Sequence, residues 1–337
     1  MLDGAMEIRA LDPSDDAAVR RFHEILWRAE KEDGRPWNPM WTHDEFAAMV
    51  RKPSKERRMV SVAAHDGDEM VGAGFMMLSD LDNLDTAWTF IAVEPERRGR
   101  SIGAFVLDGI IAAAGPEGRT QLLGGAGVPF EERDSSPIVA WAVAHGFTVA
   151  NTEIQRNLEL PVAEELLDEI DREVREKSEG YEVRTYVGPL PDELLQSYAD
   201  LGNLFMLEAP MGDIDVEAGR STPESLREQD EVIEAMGRTR YSALALKDGV
   251  VVAHSDLGTA AGDDEAHQWG TLVHPDHRGH RLGAAVKVAN LRSFQREQPS
   301  SKRIVTTNAE VNAWMVAIND RLGFAPVAVV PTFKRRL

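Results

Sequence analysis

VEPERRGRSIG at residues 93–103 and VHPDHRGHRLG at residues 273–283 are two versions of one turn. Each has Val, one residue, Pro, two residues, Arg-Gly, and a second Gly four residues on. Arg98-Gly99 and Arg278-Gly279 stand 180 residues apart in the chain. An apolar run leads into each turn, 86–93 (TAWTFIAV) and 267–273 (HQWGTLV), and reads as a strand. A helix-spaced stripe follows each: Phe105, Val106, Ile110 and Ile111 after the first, Ala285, Val286, Val288, Ala289 and Leu291 after the second. A strand passing through a glycine loop into a helix aims several backbone N–H groups one way, which suits phosphate oxygens. Arg97, Arg98, Arg100, Arg278 and Arg281 concentrate positive charge there, in a chain whose net charge is −20.

Working outward, the repeat spreads over both halves. MEIR (6–9) and YEVR (181–184) each read as a short opening strand. Amphipathic helices follow, through Val19, Phe22, Ile25 and Leu26, and through Leu194, Leu195, Tyr198 and Leu201. Paired strands are predicted at 59–65 and 70–78 around Asp66-Gly67, and at 241–247 and 250–257 around Asp248-Gly249. Further strands are predicted near 120–124 and 303–307. A helix closing on Gly-Phe ends each half, at 138–147 and 312–324. Residues 161–178 start on Pro161 and carry apolar residues at i, i+3, i+4 spacing, as a linker helix would. The reading is therefore α+β, with a domain at 1–160, a linker helix at 161–180 and a domain at 181–337.

Composition narrows the function classes. The 337 residues suit two domains, and 43% are hydrophobic, enough for a core in each. There is no cysteine, so no disulfide, thiolate metal site or cysteine nucleophile is possible. The acidic balance argues against nucleic acid as a general partner and is compatible with cationic ligands or with plain solubility. Short apolar runs argue against a membrane span, and the acidic N-terminus against a signal peptide, so a cytoplasmic location is expected. There is no Gly-Lys-Ser/Thr loop, and Gly-x-Gly-x-x-Gly is absent after the first strand. His274, His277 and His280 recur three apart, but Pro275 and the loop spoil a ligand face, so no metal is expected.

Val-x-Pro-x-x-Arg-Gly-x-x-x-Gly after a central strand, with Gly-Phe closing a later helix, resembles the GCN5-related N-acetyltransferases, the GNAT family. The resemblance covers both halves. It implies two tandem GNAT-like domains of actinobacterial type, each a mixed, mostly antiparallel sheet flanked by helices, with mycothiol synthase a distantly similar tandem member. It implies acetyl-CoA as acyl donor. Pyrophosphate would lie at Arg278, Gly279, His280, Arg281, Leu282 and Gly283, and in the first half at Arg98, Gly99, Arg100, Ser101, Ile102 and Gly103. The preceding strands would splay from their neighbours, with Val273 and Val93 at the ends that offer backbone N–H groups.

The second half also resembles the family's Asn-x-x-Ala-x-x-x-Tyr-x-x-x-Gly-Phe helix, through Asn312, Met315, Asn319 and Gly323-Phe324. Asn312 would contact the cofactor or cap the helix. The sequence departs from the family at Ser101 and Arg281, where glycine is usual, and at Ala142 and Asn319, where a tyrosine acid is frequent. His267 and Asn319 are the catalytic candidates, and Asp256 is a second candidate base. Glu208, Asp213, Asp215 and Glu217 would face an amine head or simply solvent. Trp27, Trp37 and Trp41 would line a pocket, a seam between domains or a core. The expected activity is N-acetyl transfer to a small amine or peptide, with the C-terminal domain catalytic; the alternative is a non-catalytic acyl-CoA-binding sensor or scaffold. Monomer and homodimer both stay open.

Overall fold

A computed structural model of the protein describes residues 6–337 apart from 33, 34, 36, 55, 261 and 262. The first half runs β1 (Met6–Ala10), α1 (Asp16–Trp27), α2 (His43–Arg51), β2 (Arg58–Asp66), β3 (Glu69–Leu78), β4 (Thr86–Val93), α3 (Ile102–Ala114), β5 (Gln121–Gly125), β6 (Val128–Pro129), α4 (Pro137–Ala144) and β7 (Thr148–Glu159). The second runs α5 (Glu164–Arg175), β8 (Glu182–Val187), α6 (Asp192–Gly202), α7 (Phe205–Glu208), α8 (Pro223–Ala235), β9 (Arg238–Lys247), β10 (Val250–Ala260), β11 (Glu265–Val273), α9 (Leu282–Glu297), β12 (Arg303–Ala309), α10 (Ala313–Leu322) and β13 (Ala325–Arg336). The elements expected from the repeat are present, and the fold is α+β. Helices α2 and α8 were not expected, although each opens on a capping box, Thr42 with Glu45 and Thr222 with Ser225.

Two compact units form, Met1–Thr152 with Val329–Leu337, and Glu153–Ala328. In unit 1 the strands lie in the order β1-β2-β3-β4-β5-β13, antiparallel except for the β4–β5 pair. In unit 2 the order is β7-β12-β11-β10-β9-β8, antiparallel except for β11–β12. The last strand of the chain thus completes the sheet of unit 1, and residues 153–159 of β7 complete that of unit 2. The boundaries expected at 160 and 181 differ from this division. Helix α5, expected as a linker, buries Leu167, Ile170 and Val174 in one cluster with Leu291 and Phe294 of α9. Each such side chain contributes about 1.5–3 kcal/mol by leaving water, which binds the helix into the core of unit 2.

Strand alternation sorts the faces. In unit 2, Ala253 and Leu257 of β10 cluster with α9 residues. Leu244 and Leu246 of β9 join Leu194, Leu195, Leu201 and Leu226 of α6 and α8 on the opposite face. In unit 1, Val62 and Met76 pack with Leu107 and Ile110 of α3. Phe75 faces the other way, 6.3 Å between ring centres from Phe46 of α2. The sheet of each unit is therefore sandwiched between the helix that follows the repeated turn and the helices that precede the first hairpin.

The Gly-Phe signal of α10 is a helix stop. Gly323 has φ +96°, its N–H donates to the Asp320 carbonyl at 3.1 Å, and the Phe324 N–H donates to the Asn319 carbonyl at 3.0 Å. A methyl group at Gly323 would meet only Leu158 Cδ1, at 3.8 Å, so its cost would be conformational rather than steric. Gly323→Ala is expected to lower stability by about 1 kcal/mol, read from the urea midpoint of the unit 2 transition.

Candidate functional site

The two turns share a backbone. Gly99 and Ser101 have φ of +75° and +63°, and Gly279 and Arg281 have +86° and +54°. Ser101 and Arg281 therefore occupy a left-handed conformation that favours glycine, at the N-caps of α3 and α9. Neither side chain caps its helix. The first-turn N–H groups of Ile102-Gly103 and Leu282-Gly283 have no intrahelical acceptor and project from the positive end of the dipole. Alternating left-handed residues curl the loop so that its own N–H groups converge on the same place. The donor set thus suits a pyrophosphate.

Beside each turn, two strands part. β4 pairs with β5 only through Thr86–Trp88, and β11 pairs with β12 only through Glu265–His267. Residues 89–93 and 268–273 then keep their ladders to β3 and β10 alone. One edge of each strand faces an opening that ends at the turn, with Val93 or Val273 nearest to it. A backbone edge of this kind can pair with an extended, amide-bearing ligand, since buried N–H and C=O groups seek partners. β11 also carries a bulge: Asp256 opposes Gly270 and Leu257 opposes Gln268, leaving Trp269 as the extra residue. The β3–β4 ladder runs without a break.

Most of the charged side chains of the turns are engaged. Arg278 pairs with Glu208, and Arg281 with Glu173 at 3.1 Å. His277 Nδ1 meets the Tyr181 hydroxyl at 3.0 Å, and His280 Nδ1 meets the Lys177 carbonyl at 3.1 Å. In unit 1, Arg97 pairs with Glu69, Arg98 donates to the Ala29 carbonyl at 3.4 Å, and Arg100 is exposed. His274 and His277 touch edge to face, but no group of three or more metal-ligating side chains occurs among the described residues. Asp213, Asp215 and Glu217 are exposed. In unit 1, Trp41 packs near Phe75 and Trp27 near His23.

The named catalytic candidates fall in different places. His267 sits in the stretch of β11 still paired to β12, with Nε2 3.8 Å from Glu265 Oε1. Asn319 is fully buried on α10, and its Nδ2 donates to Asn308 Oδ1 at 3.1 Å, an oxygen that also accepts from Arg156 at 3.2 Å. Asn312 caps α10 by accepting from the Met315 N–H at 3.2 Å. Asp256 is buried and anchors a cluster that the sequence reading did not assemble. His254 Nδ1 lies 2.5 Å from Asp256 Oδ2, the Tyr198 hydroxyl donates to the same oxygen at 2.8 Å, and Ser242 Oγ donates to Asp256 Oδ1 at 2.5 Å. Burial alone would raise the Asp256 pKa, but His254, Arg240 and Ser242 outweigh it and hold the carboxyl below its usual range. Burial, and then the Asp256 charge, push the Tyr198 phenol well above its ordinary value, so it remains a donor.

His254 Nε2 is buried and has no hydrogen-bond partner among the described residues. A protonated Nε2 would be an orphaned donor, costing about 1–3 kcal/mol, so we assign the proton to Nδ1, facing Asp256. The His254 ring borders Gly270: a methyl group there would stand 3.6 Å from His254 Cε1 and 3.4 Å from Phe205 Cε2. Each unit has a register shift at the start of its second hairpin strand, after Val251 in β10 and between Ala64 and His65 opposite β3. Aligning these shifts sets His254 against Ala73, Asp256 against Phe75 and Ser242 against Ser61. Counting back from Val273 and Val93 sets Gly270 against Phe90. Phe75 and Phe90 stack with ring centres 5.4 Å apart. Aromatic carbon therefore fills in unit 1 the place that unit 2 leaves to a histidine–aspartate pair and a glycine.

On the opposite face of the unit 2 sheet, Lys287 of α9 is buried. Its Nζ donates to Gln268 Oε1 at 3.1 Å and lies 5.2 Å from the centre of the Phe324 ring. Gln268 Nε2 donates in turn to the carbonyls of Asp256 and Gly270 at 2.6 and 2.9 Å, next to the bulge. Burial pushes the Lys287 pKa down to about 7.

Residues 2–128 match the family described as Acetyltransferase (GNAT) domain. Solved structures match over nearly the whole chain. The tandem GNAT protein from the clavulanic acid biosynthesis pathway is 22% identical, with 98% of each chain covered and a TM-score of 0.76. A GCN5-related N-acetyltransferase from Sphaerobacter thermophilus is 15% identical, with 98% of this chain and 95% of that one covered and a TM-score of 0.65. The N-myristoyltransferase of Saccharomyces cerevisiae is 10% identical, with 98% and 80% covered and a TM-score of 0.61. At these identities the likeness is one of fold. No curated protein matches the chain, and the expected likeness to mycothiol synthase is not among these findings.

The pKa of Lys287 has a consequence for stability. The unfolded chain binds a proton at this lysine up to about pH 10, the folded chain only up to about 7. Between those values the unfolded state holds more protons, so the lysine makes stability rise with pH. Lys287→Met is expected to raise stability at pH 6 by at least about 1 kcal/mol and to flatten the rise from pH 7 to 10, measured by urea unfolding of both proteins across that range.

Proposed function

We propose, for a chain with an acetyltransferase (GNAT) domain at residues 2–128 and the tandem GNAT fold throughout, that unit 2 is the working site of an acyl-CoA-dependent N-acyltransferase. The fold supports acyl transfer from a CoA thioester to an amine in general terms. The finer reading is acetyl transfer to a small amine or peptide, with unit 2 as the catalytic half. One observation carries it: the free edge of β11 joins the turn at one end to a bulge at the other, where Gly270 is bordered by His254 and Phe205. That place in unit 1 holds Phe75 and Phe90 instead.

The parts follow in order along the strand. The N–H groups from Arg278 to Gly283 hold the pyrophosphate, and the free edge of residues 268–273 pairs with the amides of the pantetheine arm. Gly270 lies about 10 Å up the strand from Val273, at the level where the thioester would end. Backbone N–H groups near the bulge are the donors for the oxyanion that develops as an amine attacks. The acceptor enters from the α6 and α8 face. The net charge of −20 favours a cationic amine over an anionic acceptor.

A second reading holds for unit 1. Its turn from Arg98 to Gly103 has the same left-handed backbone, but the Phe75–Phe90 stack puts aromatic carbon where unit 2 has Asp256 and Gly270. Unit 1 is then a donor-binding module without turnover, a sensor or scaffold in the same chain.

Gly283→Glu separates these roles. A carboxylate at the second helical position suits the helix dipole but repels pyrophosphate. A side chain there begins in ordinary contact, 3.4 Å from Ile318 Cδ1. The variant is expected to bind acetyl-CoA at unit 2 at least about tenfold more weakly by calorimetry and to lose thiol release with a panel of primary amines. If Gly103→Glu abolishes thiol release and Gly283→Glu does not, unit 1 is the working half.

A further inference from the structure

We propose that His254 is the general base of unit 2, accepting through Nε2 the proton that the attacking nucleophile must lose. The inference rests on the reading of unit 2 as the acyl-transfer site and adds a residue to it. Three independent features of the molecule converge on this ring. Its Nδ1 is fixed by Asp256, which is itself held by Tyr198 and Ser242, so neither the ring orientation nor its tautomer is left to chance. Its Nε2 is buried with no partner among the described residues, although almost every other nitrogen and oxygen around it is paired. And it borders Gly270, next to the bulged Trp269, where a side chain would stand against the ring.

The surroundings make the ring a base rather than a structural link. Asp256 lies on its own strand, Tyr198 faces it from α6 with ring centres 5.3 Å apart, and the Arg240–Asp230 pair bridges β9 and α8 nearby. Arg240 is itself paired with Asp230 at 3.1 Å, and its charge helps to keep Asp256 ionised beside the histidine. An imidazolium formed at His254 would be stabilised across the 2.5 Å Nδ1–Oδ2 contact, as in triads where a buried carboxylate orients a histidine. Asp256 and Tyr198 are positioning residues and touch no reactant. Phe205 of α7, which also borders Gly270, roofs the slot and must swing aside for an acceptor to reach Nε2.

In the reaction the amine nitrogen forms a bond to the acyl carbon while its N–H proton passes to Nε2. The carbon–sulfur bond then breaks with its electron pair on sulfur, and a proton from the imidazolium or solvent completes the thiol. The products are an amide and free CoA, with His254 neutral again.

The ring can be read without knowing the acceptor. Long-range nitrogen–proton NMR on the full chain at pH 8 should show His254 with Nδ1 protonated and Nε2 bare, and acetyl-CoA should shift its Cε1 proton. Thiol release from acetyl-CoA, with water and with 2-phenylethylamine as nucleophiles, should fall about 100-fold or more in His254→Ala and recover in part with added imidazole. Asp256→Asn, which keeps the shape, should invert the tautomer and slow release without changing acetyl-CoA affinity. His254→Gln guards against a folding defect, since it keeps bulk and polarity and should be equally slow. Failure of the wild type to bind acetyl-CoA would sink the donor-site reading itself. Binding with Nε2 protonated, or thiol release no faster in the wild type than in His254→Ala, would overturn the base while leaving that reading intact, as would a loss confined to His267→Ala.

Discussion

The parting of two parallel strands governs the rest of this molecule. Hydrogen bonding between β11 and β12 stops after His267, and between β4 and β5 after Trp88. A strand that keeps only one ladder has backbone donors and acceptors left over on its free edge. The repeated turn terminates that edge, and the helix after the turn aims its first N–H groups along the same line. Were the strands paired to their ends, the turn would keep its N–H groups, but no free backbone edge would lead away from it. The bulge at Trp269 acts on the same edge. It turns Gly270 toward the face of α6 and Phe205, where His254 and Asp256 lie.

The two units show how one backbone supports different chemistry. Position for position, Ala73, Phe75 and Phe90 answer to His254, Asp256 and Gly270. Burying a carboxylate and an imidazole is costly unless each is satisfied, and unit 2 meets this with Tyr198, Ser242 and Arg240 around Asp256. Unit 1 avoids the cost by filling the space with stacked rings. Lys287 is the exception in unit 2, a buried amine with a neutral amide partner and an aromatic face. It is tied through Gln268 to the backbone at the bulge, so the same strand joins a polar cluster on one face of the sheet to a lowered lysine on the other.

Much of this was legible in the residues. The strand, turn and helix order follows from apolar periodicity and from Gly and Pro placement, both local signals that recur 180 residues apart. Helices α2 and α8 carried capping boxes that the repeat did not flag, because the reading followed the match between halves rather than each terminus. The division into units was not legible. Which sheet a closing strand joins is settled by edge pairing with distant residues, and β7 and β13 have the same local pattern wherever they pair. Asp256 was visible as a candidate base, whereas His254 was not. Two residues apart on a strand they look like ordinary alternation, and only the surrounding α6, β9 and bulged β11 make them a pair.

By itself, then, the chain determined what depends on neighbours in sequence: two copies of a strand–turn–helix, and the positions where Ser101 and Arg281 stand in place of glycine, which the structure shows to be left-handed. Only the tertiary structure decided how far each strand stays paired, which helix α5 packs against, and whether the strand beside the turn carries Phe90 stacked on Phe75 or Gly270 against His254 and Phe205. These are contacts between residues far apart in the chain. Their energies come from burial and from satisfied polar groups, and no local pattern records either.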